Sequence, residues 1–231
     1  MMEHPAARDV TLGVIMLNTH FPRLQGDIGN PVGLAHPMIY HRVDSASVPA
    51  VVSARMDDSV VEDFVAAGRS LVERGARIVT TSCGFVCAIH DRLQAALPVP
   101  LVSSALNLTP WLCDEVTPAE SVGILTFDER TLSRAHFGRF QRDNIVIGGM
   151  QESETFYPTI RFDHPTWCVA SVEREVIAAA VALRRQAPTM KALLLECTNL
   201  SPWRAMLAER LGLAVFDLHD AIALVQKRGR F

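Results

Sequence analysis

Ile78-Val79-Thr80-Thr81-Ser82-Cys83 and, 114 positions later, Ala192-Leu193-Leu194-Leu195-Glu196-Cys197 are the stretches on which the reading of this chain turns. Each is a short apolar run that closes on polar residues and a cysteine. Runs of this length, apolar on both alternating sets, suit strands buried on both faces of a parallel sheet. The two strands are expected over Arg77–Thr81 and Lys191–Leu195. Leu12–Leu17, Pro100–Ser103, Ser121–Thr126 and Ala214–Leu218 read the same way.

The echo extends outward from the cysteines. Leu12-Gly13-Val14-Ile15-Met16 matches Val122-Gly123-Ile124-Leu125-Thr126 at an offset of 110, and Pro98–Val102 matches Gly212–Phe216 at 114. Three matches at nearly one offset indicate a repeated unit. Between the strands lie helical patterns. Ser59-Val60-Val61-Glu62 reads as a capping box, with Val60, Phe64, Val65, Leu71 and Val72 at helical spacing and Gly75 placed as a stop. Val172, Val176, Ala180 and Val181 form a second stripe ending before Pro188. One helix is expected from about Phe85 to Ala96. Another starts near Ser201-Pro202 and closes at Gly212, with Trp203, Met206, Leu207 and Leu211 on its buried face. Strand and helix in alternation give an α/β chain of two pseudosymmetric, Rossmann-like halves with mainly parallel sheets and a site in the cleft between them. The halves are residues 1–117, carrying Cys83, and 118–231, carrying Cys197, with a boundary near Thr117–Glu120 and the last helix free to cross over to the first half. Residues 19–48 and 149–168 lack a regular pattern, and read either as binding loops and lids or as surface loops.

Composition narrows the function. Of 231 residues 49% are hydrophobic and 20% charged, enough apolar side chain for a core. The net charge of −3 carries no basic block, so a nucleic-acid or membrane-surface role has no electrostatic support. Lys227-Arg228-Gly229-Arg230 reads as a solvated chain end. No apolar run is long enough to span a membrane, and Met1–Asp9 lacks the pattern of a leader. Five cysteines, without a CxxC pair or zinc spacing, favour free thiols in a reducing compartment and hence a cytoplasmic protein.

Cys83 and Cys197 each follow a strand and precede a helix, so both sulfurs are expected at the carboxyl edge of a sheet, where open α/β folds bind ligands. A helix N-terminus lowers a thiol's pKa, and its backbone N–H groups can hold a carboxylate. Thr80, Thr81, Ser82 and Gly84 beside one sulfur, and Thr198 and Asn199 beside the other, leave room for a small acid. Two facing thiols suit proton removal from a carbon next to a carboxylate or carbonyl, with return to the opposite face. Cys87, Cys113 and Cys168 read as packing residues.

Thr81-Ser82-Cys83-Gly84 and Glu196-Cys197-Thr198-Asn199, supported by the strand openings at Gly13 and Gly123, resemble the aspartate/glutamate racemase superfamily. That group includes glutamate, aspartate and hydantoin racemases, maleate isomerase and arylmalonate decarboxylase. The resemblance covers nearly the whole chain. It implies an isomerase, an aspartate/glutamate-type or hydantoin racemase, with Cys83 and Cys197 as the acid/base pair. It also implies no metal, pyridoxal phosphate or nucleotide, a small carboxylate or hydantoin substrate, and a homodimer. It places Asn18 and Thr19 at the end of the first strand as substrate-binding or orienting residues, with Thr126 as their counterpart. The chain departs from the pattern at Gly84, Phe85, Asn18 and Asn199, which disfavours glutamate as substrate and suggests a differently shaped pocket around Phe85 and Phe21-Pro22-Arg23. Two cysteines disfavour the decarboxylase branch.

Other chemistries fit less well. Ser82-Cys83-Gly84 lacks the small residue two before a hydrolase nucleophile, and His90 and His219 read as surface or hydrogen-bonded structural residues. Gly26-Asp27-Ile28-Gly29 is no phosphate loop, and Gly148-Gly149 reads as a turn. Asp57-Asp58 reads as the negative start of a helix. A maleate-isomerase-like reaction and a non-catalytic acid-binding protein remain as alternatives.

Overall fold

The computed structural model describes residues 10–229. The Met1–Asp9 stretch and Arg230 of the basic end lie outside the described residues. In the first half, β1 (Leu12–Leu17), β2 (Met38–Val43), α1 (Val48–Val51), α2 (Asp58–Glu73), β3 (Ile78–Thr81), α3 (His90–Ala95), β4 (Leu101–Val102) and α4 (Thr109–Asp114) follow in order. The second half runs β5 (Ser121–Thr126), α5 (Arg134–Phe137), β6 (Ile145–Gly149), α6 (Phe156–Arg161), α7 (Val169–Gln186), β7 (Met190–Leu195), α8 (Arg204–Leu211), β8 (Ala214–Phe216) and α9 (Leu218–Arg228).

The strands form two four-stranded sheets of matching order, β2-β1-β3-β4 and β6-β5-β7-β8, with every pairing parallel. This is the two-part α/β architecture that the repeat predicts. The repeated glycines have a packing reason. A Cβ at Gly13 would stand 2.8 Å from that of Ala76, and one at Gly123 would stand 1.9 Å from Met190 Sδ. Glycine at the opening of each central strand therefore lets the covering segment approach the sheet.

The crossings between halves are reciprocal. Helix α4 leaves the first half and packs on β5, while α9 leaves the second and packs on β4 and the 3-10 turn Ala105–Leu108. Trp111 of α4 meets Phe216 of β8 edge-on at 5.5 Å. Each half thus buries apolar surface contributed by the other, and the hydrophobic core is continuous between them.

Several expectations need correction. The edge strands β2 and β6 lie where irregular chain or a turn was expected; Gly148-Gly149 is the end of β6, paired with Leu125 and Thr126. Both edges are only half-buried on most residues, so their sequences lack the continuous apolar run of an inner strand. Helix α2 starts two residues earlier than the capping box implied, with Asp57 at its N-cap and Asp58 in its first turn. Ala214–Leu218 divides into a short strand and the start of α9, which Asp217 caps through His219 N–H. Cys168 is exposed at the start of α7 rather than packed. His90 and His219, by contrast, are the hydrogen-bonded structural residues that one of the two readings expected: His90 is buried against Ser103, and His219 bonds to the Gly26 carbonyl. Among the described residues no helix is long and apolar enough to cross a membrane.

Candidate active site between the two halves

Both cysteines sit at the same structural position. Each chain segment leaves an inner strand at its carboxyl end and enters a six-residue 3-10 turn, Gly84–Ile89 or Thr198–Trp203, for which the cysteine is the N-cap. The α-helices expected directly after the cysteines start only at His90 and Arg204, and Ser201-Pro202 lies inside the second turn rather than at a cap. The turns' backbone hydrogen bonds begin at Val86 N–H and Leu200 N–H, so the preceding N–H groups have no partner within the turn.

Cys83 and Cys197 line one narrow cavity that opens to solvent. Its wall also holds Ser82, Gly84, Phe85 and Asn199, the aromatic rings of Phe21 and Phe127, Arg23 and Glu196. Asn199 Nδ2 lies 3.6 Å from Cys197 Sγ. Phe85 is fully packed and meets His136 edge-on at 5.1 Å.

The remaining residues expected at the site support it from behind. Thr126 is buried and donates to Glu196 Oε2 at 2.7 Å. Thr198 donates to the Ser82 carbonyl at 3.0 Å and so ties one cysteine loop to the other. Thr19 accepts from Arg23 at 3.2 Å. Asn18 turns away altogether and donates to the Asp44 carbonyl. None of these four lines the cavity. The backbone at the end of β1 aims only alternate side chains at the sheet edge, and Leu17 takes the place in the cavity wall.

Two charged wall residues, Arg23 and Glu196, were not among the expected site residues. Arg23 is almost fully buried and pairs with Asp27 at 2.9 Å; Asp27 also accepts from Gly29 N–H at 2.6 Å. Only the loop after β1 carries this pair, and no echo marks it. Glu196 is 1% exposed. Its Oε2 takes the Thr126 bond, and its Oε1 is buried with no hydrogen-bond partner. Gly84 explains how it fits: a Cβ there would stand 2.0 Å from Glu196 Oε1. The glycine that departs from the racemase pattern makes room for a carboxyl from the other half. Gly84 and Glu196 each stood in one of the two motifs, but nothing in the sequence brought them together.

The cavity is closed from both sides. His20 and Phe21 N–H groups bond to Asp163 Oδ1 at 2.6 and 2.9 Å, and the His20 ring lies 2.8 Å from Oδ2. Helix α1 packs against α6 above it. The loop of the first half is thereby pinned to the second. Phe21, Arg23 and Val48 of the first irregular stretch and Ile160 of the second therefore line the cleft.

Electrostatics run opposite to the expectation from a helix N-terminus. Burial, followed by the charge of Glu196, pushes Cys197 up to about 12, and the same two causes in the same order push Cys83 higher still. The 3-10 turns are too short to offset this, although the Phe85 and Asn199 N–H groups pull the other way. Burial raises Glu196 to about 7, opposed by Thr126 and the Phe127 N–H. Among the described residues no group of three or more His, Cys, Asp or Glu side chains is placed to hold a metal ion.

No family model matches the chain. Solved structures of similar fold define its class. Unliganded arylmalonate decarboxylase aligns over 95% of this chain and 92% of its own (TM-score 0.57, 18% identity). Allantoin racemase from Klebsiella pneumoniae aligns over 93% and 88% (TM-score 0.55, 13% identity), and glutamate racemase from Thermus thermophilus over 96% and 82% (TM-score 0.54, 17% identity). The chain shares the two-domain α/β fold of these structures. Its curated sequence relatives carry another name. It is 25% identical to a dimethylsulfoniopropionate lyase of Durusdinium sp. clade D over 92% of this chain and 73% of that protein. It is 25% identical to dimethylsulfoniopropionate lyase 7 of Emiliania huxleyi over 90% of this chain, and spans 63% of that relative.

Proposed function

We propose that the chain is a carbon-acid enzyme that removes the proton next to the carboxylate of a small substrate, with Cys83 and Cys197 as its acid/base groups. The observation that carries this reading is that two sulfurs from distant parts of the chain line one cavity, each at a strand end and a turn N-terminus. The N–H groups of the two turns and Asn199 Nδ2 are suited to a carboxylate. Arg23 is held by Asp27 and presents little free charge. Phe21, Phe85 and Phe127 suit an apolar or cationic substituent at the far end.

A thiolate takes the α-proton, and the C–H electrons move toward the carboxylate. Two fates follow. Where the β-carbon carries a leaving group, the electrons form a C=C bond and the leaving group departs with the bonding pair. With dimethylsulfoniopropionate this would release dimethyl sulfide, acrylate and one proton. We put this elimination first, because the sequence relatives that match over nine-tenths of the chain are lyases of that kind. Where no leaving group is present, the opposite thiol returns a proton to the other face and inverts the centre. The pseudosymmetric placement of two thiols favours this racemase reading as second.

One experiment separates these fates. The protein is incubated in deuterated water with dimethylsulfoniopropionate, aspartate, glutamate, hydantoins and allantoin. Dimethyl sulfide and acrylate are followed by gas and liquid chromatography, and deuterium by mass spectrometry. Release of sulfide and acrylate supports elimination. Deuterium gained with loss of optical purity supports racemisation. Neither outcome with any substrate, from folded protein, would overturn the carbon-acid reading.

A further inference from the structure

Two residues of the cavity wall, Glu196 and Asn199, each hold a buried side-chain oxygen with nothing to bond to. Neither Glu196 Oε1 nor Asn199 Oδ1 accepts a hydrogen bond from any group, the nearby thiols included. Both residues are more than nine-tenths buried. Oε1 lies over Gly84, itself a wall residue, where a Cβ would stand 2.0 Å away. The rest of each group is engaged. Thr126 donates to Glu196 Oε2 at 2.7 Å, the Phe127 N–H supports the same carboxyl, and Asn199 Nδ2 lies 3.6 Å from Cys197 Sγ. Desolvated acceptors of this kind are costly unless a donor or a positive charge arrives. Among the described residues no charged side chain supplies one. Arg23 is the one cation of the wall. It gives Nη1 to both Asp27 oxygens at 2.9 and 3.1 Å and Nη2 to Thr19, with its guanidinium over the Phe21 ring. The other titratable groups near Glu196 are the thiols of Cys83, Cys87 and Cys197. Arg23 and Asp27 thus cancel, and an ionised Glu196 is the charge left over.

We propose that Glu196 Oε1, Asn199 Oδ1 and the Phe127 ring form a subsite for a small organic cation, the positively charged substituent of a zwitterionic substrate. Phe127 lines the same wall and stacks on Tyr157 at 4.7 Å, and an aromatic face draws a cation rather than an anion. Asn199 then serves both ends of the substrate, with Nδ2 toward the carboxylate and Oδ1 toward the cation. A desolvated cation needs its charge matched, and Glu196 has no internal cation competing for it. The subsite rests on the reading of this cavity as the substrate site, and adds which groups take the charged end away from the reacting carbon. Burial raises Glu196 to about 7, so an arriving cation has to displace a proton below that value and none well above it.

The test is binding without turnover. Trimethylsulfonium, methylammonium and the uncharged tert-butanol are titrated into the full chain at pH 8 and followed by NMR. At least one cation should bind at a single saturable site about tenfold or more tightly than tert-butanol, the margin a desolvated carboxylate and ring supply together. Trimethylsulfonium in front marks an onium substrate, and methylammonium in front marks a primary amine. In Glu196→Gln, which keeps an acceptor for Thr126 but carries no charge, the preference for the cation should fall by about tenfold while tert-butanol binding is unchanged. Equal binding of cations and alcohol to the wild type would overturn the proposal, and so would a preference that survives in Glu196→Gln. Should the variant fail to fold, the wild type still decides. Its preference should shrink as the pH is lowered from 8 to 5, and a preference independent of pH refutes the subsite. Cation binding without turnover of any carbon acid would keep the subsite and sink the reaction. Turnover with no cation preference would do the reverse.

Discussion

The first half ends its inner strand on Ser82-Cys83-Gly84, the second on Glu196-Cys197-Thr198, and the two triplets share a backbone but divide the work. Ser82 Oγ accepts from Leu17 N–H at 3.1 Å and fixes the Cys83 loop to β1, a purely local bond. Glu196 instead reaches across the cleft into the space that Gly84 leaves vacant. Thr198 crosses the same way to the Ser82 carbonyl. Symmetry supplies the scaffold, with two sheets of one order and two cysteine caps. The asymmetry is concentrated at the cavity wall, where only the second half supplies a buried carboxyl.

That comparison can be broken most sharply at the sulfurs. If the halves are equivalent in the chemistry, Cys83→Ser and Cys197→Ser should each lower turnover by about 10³-fold, within the usual range for a lost acid/base group. If the reaction is elimination, one base suffices, and one variant should lose far less than the other. Steady-state rates of both variants on dimethylsulfoniopropionate and on the racemisable panel distinguish the two cases.

The buried ion pair is the next difference, since among the described residues the pairs of the second half keep their arginines at least a third exposed. Asp27→Asn leaves Arg23 uncompensated in the cavity wall, and urea unfolding should show a loss of about 3–5 kcal/mol. A loss below 1 kcal/mol would mean that water reaches Arg23 and that the loop after β1 opens readily.

Glu196 gives a pH-dependent contrast. Its carboxyl goes from an ordinary 4.5 to about 7 on folding. Between those values the unfolded chain gives up its proton while the folded one keeps it. Stability is therefore lost as pH rises through this window, and is constant above it. Glu196→Gln removes the penalty, so thermal or urea unfolding should show a gain of up to about 3 kcal/mol at pH 8 and little change at pH 4. An equal shift at both pH values would refute the burial of an ionisable carboxyl there.

The smallest effect belongs to the exposed bridge between α2 and α3, another feature of the first half alone. Arg92 contacts Asp58 at 2.6 Å and also Glu62, but all three are well exposed. Solvent screens such pairs, so Arg92→Ala should leave the unfolding midpoint within error of wild type.

The four inner strands and the short edges β4 and β8, the glycines that open β1 and β5, and the matching places of Cys83 and Cys197 were legible in the sequence. Continuous apolar runs have no other good solution than a doubly covered parallel sheet, and a repeat at fixed offset marks a repeated unit. The half-buried edges β2 and β6 were not legible, because pairing on one side only leaves no compulsory pattern. Nor were the reciprocal crossing of α4 and α9, the Asp163 clasp on residues 20 and 21, or the orientation of Asn18 away from the cleft. Above all, Glu196 over Gly84 joins residues 112 positions apart. Only the packing of one half on the other brings that carboxyl over the residue beside Cys83, and the burial it creates raises Glu196 and both thiols.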